Sequence, residues 1–140
     1  MSIITLRSLS TEELLARLIW GEARNQPLRG MVAVGCVVMN RFNDGFKRYG
    51  ATVFNVITRK WQFSCFNEKD PNLPKLLSNP GKPIGICRTI SSLIFEGIIN
   101  DPTGGATHYH TKNCDPAWND NPSRMFYLCT IGDHKFYREL

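Results

Sequence analysis

The chain has 140 residues, of which 42% are hydrophobic and 21% charged, and its formal net charge is +5. That length suits one domain, whose core buries roughly two-thirds of the unfolded chain's surface; the composition excludes intrinsic disorder, a collagen-like repeat and a coiled coil. A basic balance suits a polyanionic partner: nucleic acid, an anionic membrane face or an acidic wall polymer.

The apolar stretch at Met1–Arg7 is too short for a signal peptide, and no run approaches 18 apolar residues. The expected setting is synthesis in the cytoplasm without a signal peptide and without stable membrane insertion. Ser10-Thr-Glu-Glu13 has the spacing of a capping box and predicts a helix to about Ala23. On that helix Leu14, Leu15, Leu18 and Ile19 span an arc of about 140°. Glu22 falls within the arc, so the apolar stripe ends in a carboxylate. Pro27 suits the first turn of a second helix, about Leu28 to Arg41, which is apolar nearly all round and is expected to be the buried central helix. Asn43-Asp44-Gly45 stops it.

Thr52 to Thr58 predicts a short helix. Trp61-Gln-Phe-Ser-Cys-Phe66 reads as an aromatic connection and residues 67–82 as loop, with one possible turn at Pro74–Leu77. Pro83 to Gly97 predicts a helix with Ile86, Ile90, Leu93 and Ile94 on its inner side. Asp101-Pro-Thr-Gly-Gly105 is a turn, and beyond it the period becomes two. His108 and His110 share one strand face, Thr107 and Tyr109 the other. Met125–Ile131 and His134–Arg138, joined by Gly132-Asp133, read as a hairpin. The expectation is an α+β domain, mainly helical, with a small antiparallel sheet formed by the C-terminal third.

Five cysteines, an odd number without a CxxC, point to thiols rather than a disulfide framework, and Cys36 and Cys87 read as core residues. Glu22 is the sharpest chemical signal. A carboxyl at the rim of a core is desolvated, which favours the protonated form that a general acid needs. The competing reading turns Glu22 to solvent or pairs it with Arg24 or Arg41. His108, His110 and His134, with Cys114 and Cys129, offer zinc-ligand chemistry, but H-x-H-x3-C matches no strong metal motif and no metal is expected. Nucleophile-elbow, phosphate-loop and HExxH motifs are missing, and a Cys65–His110 pair is a weak alternative. Scattered basic residues argue against a nucleic-acid groove. Trp20, Trp61, Phe63, Tyr109 and Trp118 are candidates for sugar stacking or for plain core packing.

Leu15-Ala-Arg-Leu-Ile-Trp-Gly-Glu-Ala-Arg24, Pro27 and Val32-Ala-Val…Val-Val-Met-Asn-Arg41 resemble the opening of the cell wall hydrolase family of spore-cortex-lytic type (SleB/CwlJ-like). Trp61-Gln-Phe-Ser-Cys65, Asp101-Pro-Thr-Gly-Gly-Ala106 and Thr130-Ile-Gly-Asp-His-Lys-Phe-Tyr137 follow in the same order, so the resemblance spans about Glu13 to Tyr137. It implies a lysozyme-like fold, cleavage of peptidoglycan, and a catalytic-acid role for Glu22. Where family members often carry Gly-Glu-Pro, this chain has Asn25-Gln-Pro27, so position 26 supplies no carboxylate nucleophile. Within the matched blocks Gln62 and Ser64 are expected to bind acetamido groups. Thr107, Tyr109 and His110 are expected to line the cleft opposite Glu22, with structural hydrogen bonding as the alternative for each.

Glycosidases normally use two carboxylates. Asp44, Glu68, Asp70, Glu96 and Asp101 are all poorly placed as a second acid, which favours the lytic transglycosylase route, with muramidase action next. The rival readings are a metal-dependent amidase using His108, His110 or Cys114, and a non-enzymatic wall-binding or virion module. The expected whole is a single catalytic, cofactor-free, monomeric domain spanning residues 1–140. It acts on the wall after release, as a phage endolysin does through a holin-type pore or a spore enzyme does from the mother cell.

Overall fold

The computed structural model describes residues 7–59, 84–114, 116 and 124–140. Within them the elements are helices α1 (Thr11–Ala23), α2 (Leu28–Phe42), α3 (Val53–Thr58) and α4 (Ile84–Phe95). Strands β1 (His108–Thr111), β2 (Met125–Ile131) and β3 (His134–Glu139) follow. This is the α+β arrangement expected. The Trp61–Phe66 connection, the 67–82 loop and Trp118 lie outside the described residues.

Caps set the helix starts. The Ser10 hydroxyl accepts the Glu13 N–H at 3.1 Å, and the Thr52 hydroxyl accepts that of Asn55 at 3.0 Å. The predicted capping box is only half formed. The Glu13 carboxylate takes Arg17 at 3.2 Å and Arg88 of α4 at 2.8 Å, so it joins two helices instead of closing its own first turn. Pro27 stands one position outside α2, as its N-cap, and its carbonyl accepts the N–H groups of Gly30 and Met31.

α2 is central, packing against α1, α3 and α4 and touching β2. One apolar cluster fills the helix layer: Leu14, Leu15, Leu18, Ile19, Val38, Val56, Ile57, Ile84, Cys87 and Ile90 are all buried. Trp20, a candidate for sugar stacking, is buried in the same cluster. The inner face of α4 differs from expectation. Ile84, Cys87, Ile90 and Ser91 are buried, whereas Ile86 is 46% exposed. Ile86 lies about 100° around the helix from Cys87, beyond the packed arc. Ser91 turns inward because its hydroxyl donates to the Glu12 carbonyl at 2.7 Å.

The sheet order is β1-β3-β2, antiparallel throughout. Tyr109 pairs with Phe136 and His108 with Tyr137; a bulge between Tyr127 and Cys129 interrupts the β2–β3 register. A second, smaller cluster joins sheet to helices: Ala23, Ala33, Val34, Val37, Ala106, Ile131 and Phe136. Two polar devices fix the sheet in place. Asn40 of α2 donates to Asp101 at 2.8 Å and to the Ala106 carbonyl at 2.9 Å. Asp101 in turn collects the Thr103 and Gly105 N–H groups, so this acid is spent on the turn before β1. At the other end Gln26 grips the hairpin turn, accepting the Asp133 N–H at 2.9 Å and donating to the Asp133 carboxylate at 3.1 Å. Gly132 between them has φ +57°, and a Cβ there would lie 2.9 Å from the Pro27 ring. Position 26 therefore holds the hairpin, a task an amide performs with both its donor and its acceptor.

Candidate active site

Both long helices end their buried stripe in a charge. On α1, Leu15, Leu18 and Ile19 are fully buried and Glu22, seven, four and three residues on, is half-buried. On α2, Val34, Val37 and Val38 are fully buried and Arg41, at the same three spacings, is 5% exposed. Arg41 stays in the core and Glu22 lies at its rim.

Arg41 organises the polar seam there. Its Nε donates to the Thr107 carbonyl at 2.5 Å, and its guanidinium lies 5.2 Å from the centre of the Tyr49 ring. Burial lowers its proton affinity, while Tyr109, Tyr49, Glu139 and Glu22 act electrostatically in the opposite sense. Glu22 and Tyr109 are thereby placed around one buried cation. Arg24, the other cation considered for Glu22, turns back over the Trp20 ring at 4.2 Å and donates to the Trp20 carbonyl.

Thr107 is buried at the entry to β1. Its hydroxyl accepts the Glu139 N–H at 2.9 Å and lies 3.0 Å from His108 Nδ1. Tyr109 is half-buried, edge-on to His134 at 5.0 Å and tilted against Phe136 at 5.7 Å. His110 lies on the opposite strand face and is 8% exposed. Its Nδ1 donates to the Thr111 carbonyl at 2.7 Å, which leaves Nε2 to accept the Tyr137 hydroxyl at 3.0 Å. Thr107 bonds Arg41, and Tyr109 and Glu22 lie within its electrostatic reach, while both His110 nitrogens are used within the sheet. Gln62, Ser64 and Cys65 lie outside the described residues.

Two residues of the seam were not anticipated. Glu139 takes a hydrogen bond from the Tyr49 hydroxyl and ion pairs from Arg124 at 2.8 Å and Arg48 at 3.6 Å. Partial burial pushes its carboxyl up, but Tyr49, His108, Arg48 and Arg124 together hold it below the usual range. Burial raises the Tyr49 hydroxyl to about 12, with the Glu139 hydrogen bond adding to it. His108 is lowered to about 4, first by burial and then by Arg41, so it is neutral at physiological pH. Among the described residues no group of three or more His, Cys, Asp or Glu side chains is arranged to hold a metal ion. Cys36 and Cys87 are buried free thiols, raised to about 12 and about 11, chiefly by burial.

Comparison with known proteins adds three findings. The sequence pattern of the Cell Wall Hydrolase family matches residues 25–137. A spore cortex-lytic enzyme of Halalkalibacterium halodurans is 28% identical over 125 residues; the match covers 89% of this chain and 33% of that protein, so the chain spans about a third of its length. Two solved structures share the fold. The catalytic domain of the germination-specific lytic transglycosylase SleB from Bacillus anthracis superposes with a TM-score of 0.72 at 23% identity, covering 91% of this chain and 93% of that one. The catalytic domain of the Bacillus cereus SleB protein gives 0.72 at 25% identity, covering 91% and 89%.

Proposed function

The chain belongs to the Cell Wall Hydrolase family, and from that premise we propose that it cleaves peptidoglycan glycan strands by a lytic transglycosylase route with Glu22 as general acid and then base. The observation that carries the assignment is the half-buried Glu22 at the end of a buried stripe, within electrostatic reach of the buried Arg41. Relatives named for cortex lysis and lytic transglycosylase activity support the substrate and the route.

The first step is proton transfer from Glu22 to the glycosidic oxygen as the bond to C1 of the muramic acid breaks. The resulting carboxylate then takes the proton of the muramic 6-hydroxyl as that oxygen bonds to C1. The product is a 1,6-anhydro end, with no water consumed. A single carboxylate suffices because the substrate supplies its own nucleophile. Among the described residues three acids have other work, which supports this route over two-carboxylate hydrolysis. Asp44 pairs with Arg48 at 3.0 Å, Asp101 holds its turn, and Glu139 binds Tyr49 and Arg124. Tyr109 and Thr107 form the glycan-facing wall opposite Glu22, with Gln62, Ser64 and His110 as further proposed contacts.

The domain is proposed to work alone, without a cofactor. Among the described residues no helix is long and apolar enough to cross a membrane. A net charge of +5 favours the acidic wall polymer. Lysis of whole walls, in the manner of a phage endolysin released by a holin-type pore, belongs to the same proposal. Mass spectrometry of fragments from purified vegetative sacculi and from spore cortex tests it. Anhydro ends from both substrates, lost in Glu22→Gln, are expected. New reducing ends would make the enzyme a muramidase, action on cortex alone would remove the endolysin role, and free stem peptides would make it an amidase.

A further inference from the structure

We propose that a cavity beside α3, anchored by Arg59, binds a free carboxylate of the peptide stems carried by the wall strand; this rests on the peptidoglycan reading above. The cavity measures about 350 Å³ and is lined by Gly50, Asn55, Thr58 and Arg59. That volume lies within the range of small-ligand pockets. A close approach shapes it. Gly50 has φ +140°, and a Cβ there would stand 3.0 Å from the Asn55 Cβ and 3.1 Å from the Val56 nitrogen. Only glycine lets the connection after α2 lie against α3 in this way.

Arg59 supplies the charge. Its Nη1 donates to the Arg48 carbonyl at 2.7 Å, which holds the side chain against the connection. Among the described residues it meets no carboxylate. Its Nε–Nη2 edge, the one that matches a carboxylate fork to fork, makes no hydrogen bond there. Asp44, the acid of the connection, is already held by Arg48 through both oxygens, at 3.0 and 3.1 Å. The other two polar side chains suit a peptide better than a bare anion. Among the described residues the Asn55 amide makes no side-chain hydrogen bond, so it offers both a donor and an acceptor. The Thr58 hydroxyl donates to the Phe54 carbonyl at 2.8 Å, which leaves its oxygen as an acceptor.

Position in the chain links the cavity to the substrate. Gly50 follows Tyr49, whose ring lies 5.2 Å from the Arg41 guanidinium, so the cavity adjoins the polar seam. Each stem hangs from the lactyl group of a muramic acid and presents peptide units and free carboxylates. Three extended residues span at most about 10 Å, enough for a strand lying along the seam to place a stem carboxylate on Arg59.

The test compares KM and kcat on two soluble substrates: wall strands with their stems intact, and the same strands freed of stems by an amidase. Wild type should show a KM about tenfold lower on the stem-bearing strands, with similar kcat on both. In Arg59→Gln the ratio of the two KM values should collapse toward one. Asn55→Asp should collapse it too, because it keeps the size of the side chain and sets a carboxylate at helical i,i+4 spacing from Arg59. A purely structural role for Arg59 would lower the rates on both substrates and leave the ratio unchanged. Binding is also read without catalysis. Titration with the free tripeptide alanyl-γ-glutamyl-diaminopimelate should shift the Arg59 Nε–H resonance of the wild type, and inorganic phosphate at the same concentration should not.

A wild type with equal KM on the two substrates overturns the proposal, as does a natively melting Arg59→Gln that keeps the wild-type ratio. If Arg59→Gln does not fold, Asn55→Asp decides alone. An unmoved Arg59 resonance overturns it as well, and so does an equal shift with phosphate, since the cavity would then take any anion. Failure of the wild type to cut either substrate while the tripeptide still shifts Arg59 is a different result, because it removes the parent reading and leaves the carboxylate site standing.

Discussion

The two packed regions of this domain are built on different terms. The helix layer is aliphatic: Leu14, Leu15, Leu18, Ile19, Val56 and Ile57 share one buried cluster with Ile84 and Ile90 of α4, and the ion pairs among Glu13, Arg17 and Arg88 stay at its rim. The helix–sheet contact is thinner. Alanines and valines meet Ile131 and Phe136, beside a polar seam of Arg41, Thr107, Tyr49, His108 and Glu139. The first region supplies stability by removing apolar surface from water. The second trades some of that for charges held at fixed positions, which is the environment acid–base chemistry requires.

The largest expected effect comes from breaking the aliphatic layer. Leu14→Ala, two helical turns from Glu22, should cost about 2–5 kcal/mol in denaturant unfolding. It should leave the pH profile of the remaining activity in place. A shifted profile would mean the two regions are coupled.

The seam should reveal itself by titrating. His108 is lowered from 6.5 to about 4 in the fold, and His134 is lowered as well by burial. Unfolded chains therefore bind more protons than folded ones below pH 6.5. The stability these residues contribute is intact above that value and lost as pH falls toward about 4. For His108 the loss is on the order of 3 kcal/mol. Glu13, Asp44 and Glu139, all held below their usual range, extend the loss to lower pH. Urea midpoints taken across this range should fall steadily in the wild type and less steeply in His108→Asn; equal slopes would contradict the assignment.

The hairpin clip ranks next. Gly132→Ala forces a side chain into a left-handed conformation against Pro27, and should lower stability by about 1–2 kcal/mol. Gln26→Glu should destabilise as well, since it places a carboxylate beside Asp133 where an amide N–H was donated. Thermal melts of both variants check this. The smallest effect is expected at the rim, where Arg88→Ala removes an ion pair whose arginine side chain is 48% exposed. About 0.5 kcal/mol or less is expected, and it should fade with added salt.

Local signals carried much of the fold in advance. The Ser10 hydroxyl marked a helix start, Gly132-Asp133 marked the hairpin, and the stripe of α1 pointed to Glu22. Arg41 was equally available. It follows Val34, Val37 and Val38 at the spacings that single out Glu22, yet it entered only as a pairing partner for Glu22 and not as a buried residue in its own right. Glu139 and Tyr49 were beyond reach for another reason. They lie 90 residues apart in the chain and meet only because β3 returns beside the connection after α2. No local periodicity encodes that meeting. Glu13 misled because one carboxylate had two possible uses, and the partner that won, Arg88, lies 75 residues away.

The central claim is that Glu22 performs the proton transfers. The most direct measurement is the rate at which Glu22→Gln solubilises purified sacculi, compared with wild type at the same folded concentration. The account predicts a loss of at least about a hundredfold with an unchanged melting temperature, the scale of a removed general acid. Wild-type rates from the folded Glu22→Gln protein would contradict it.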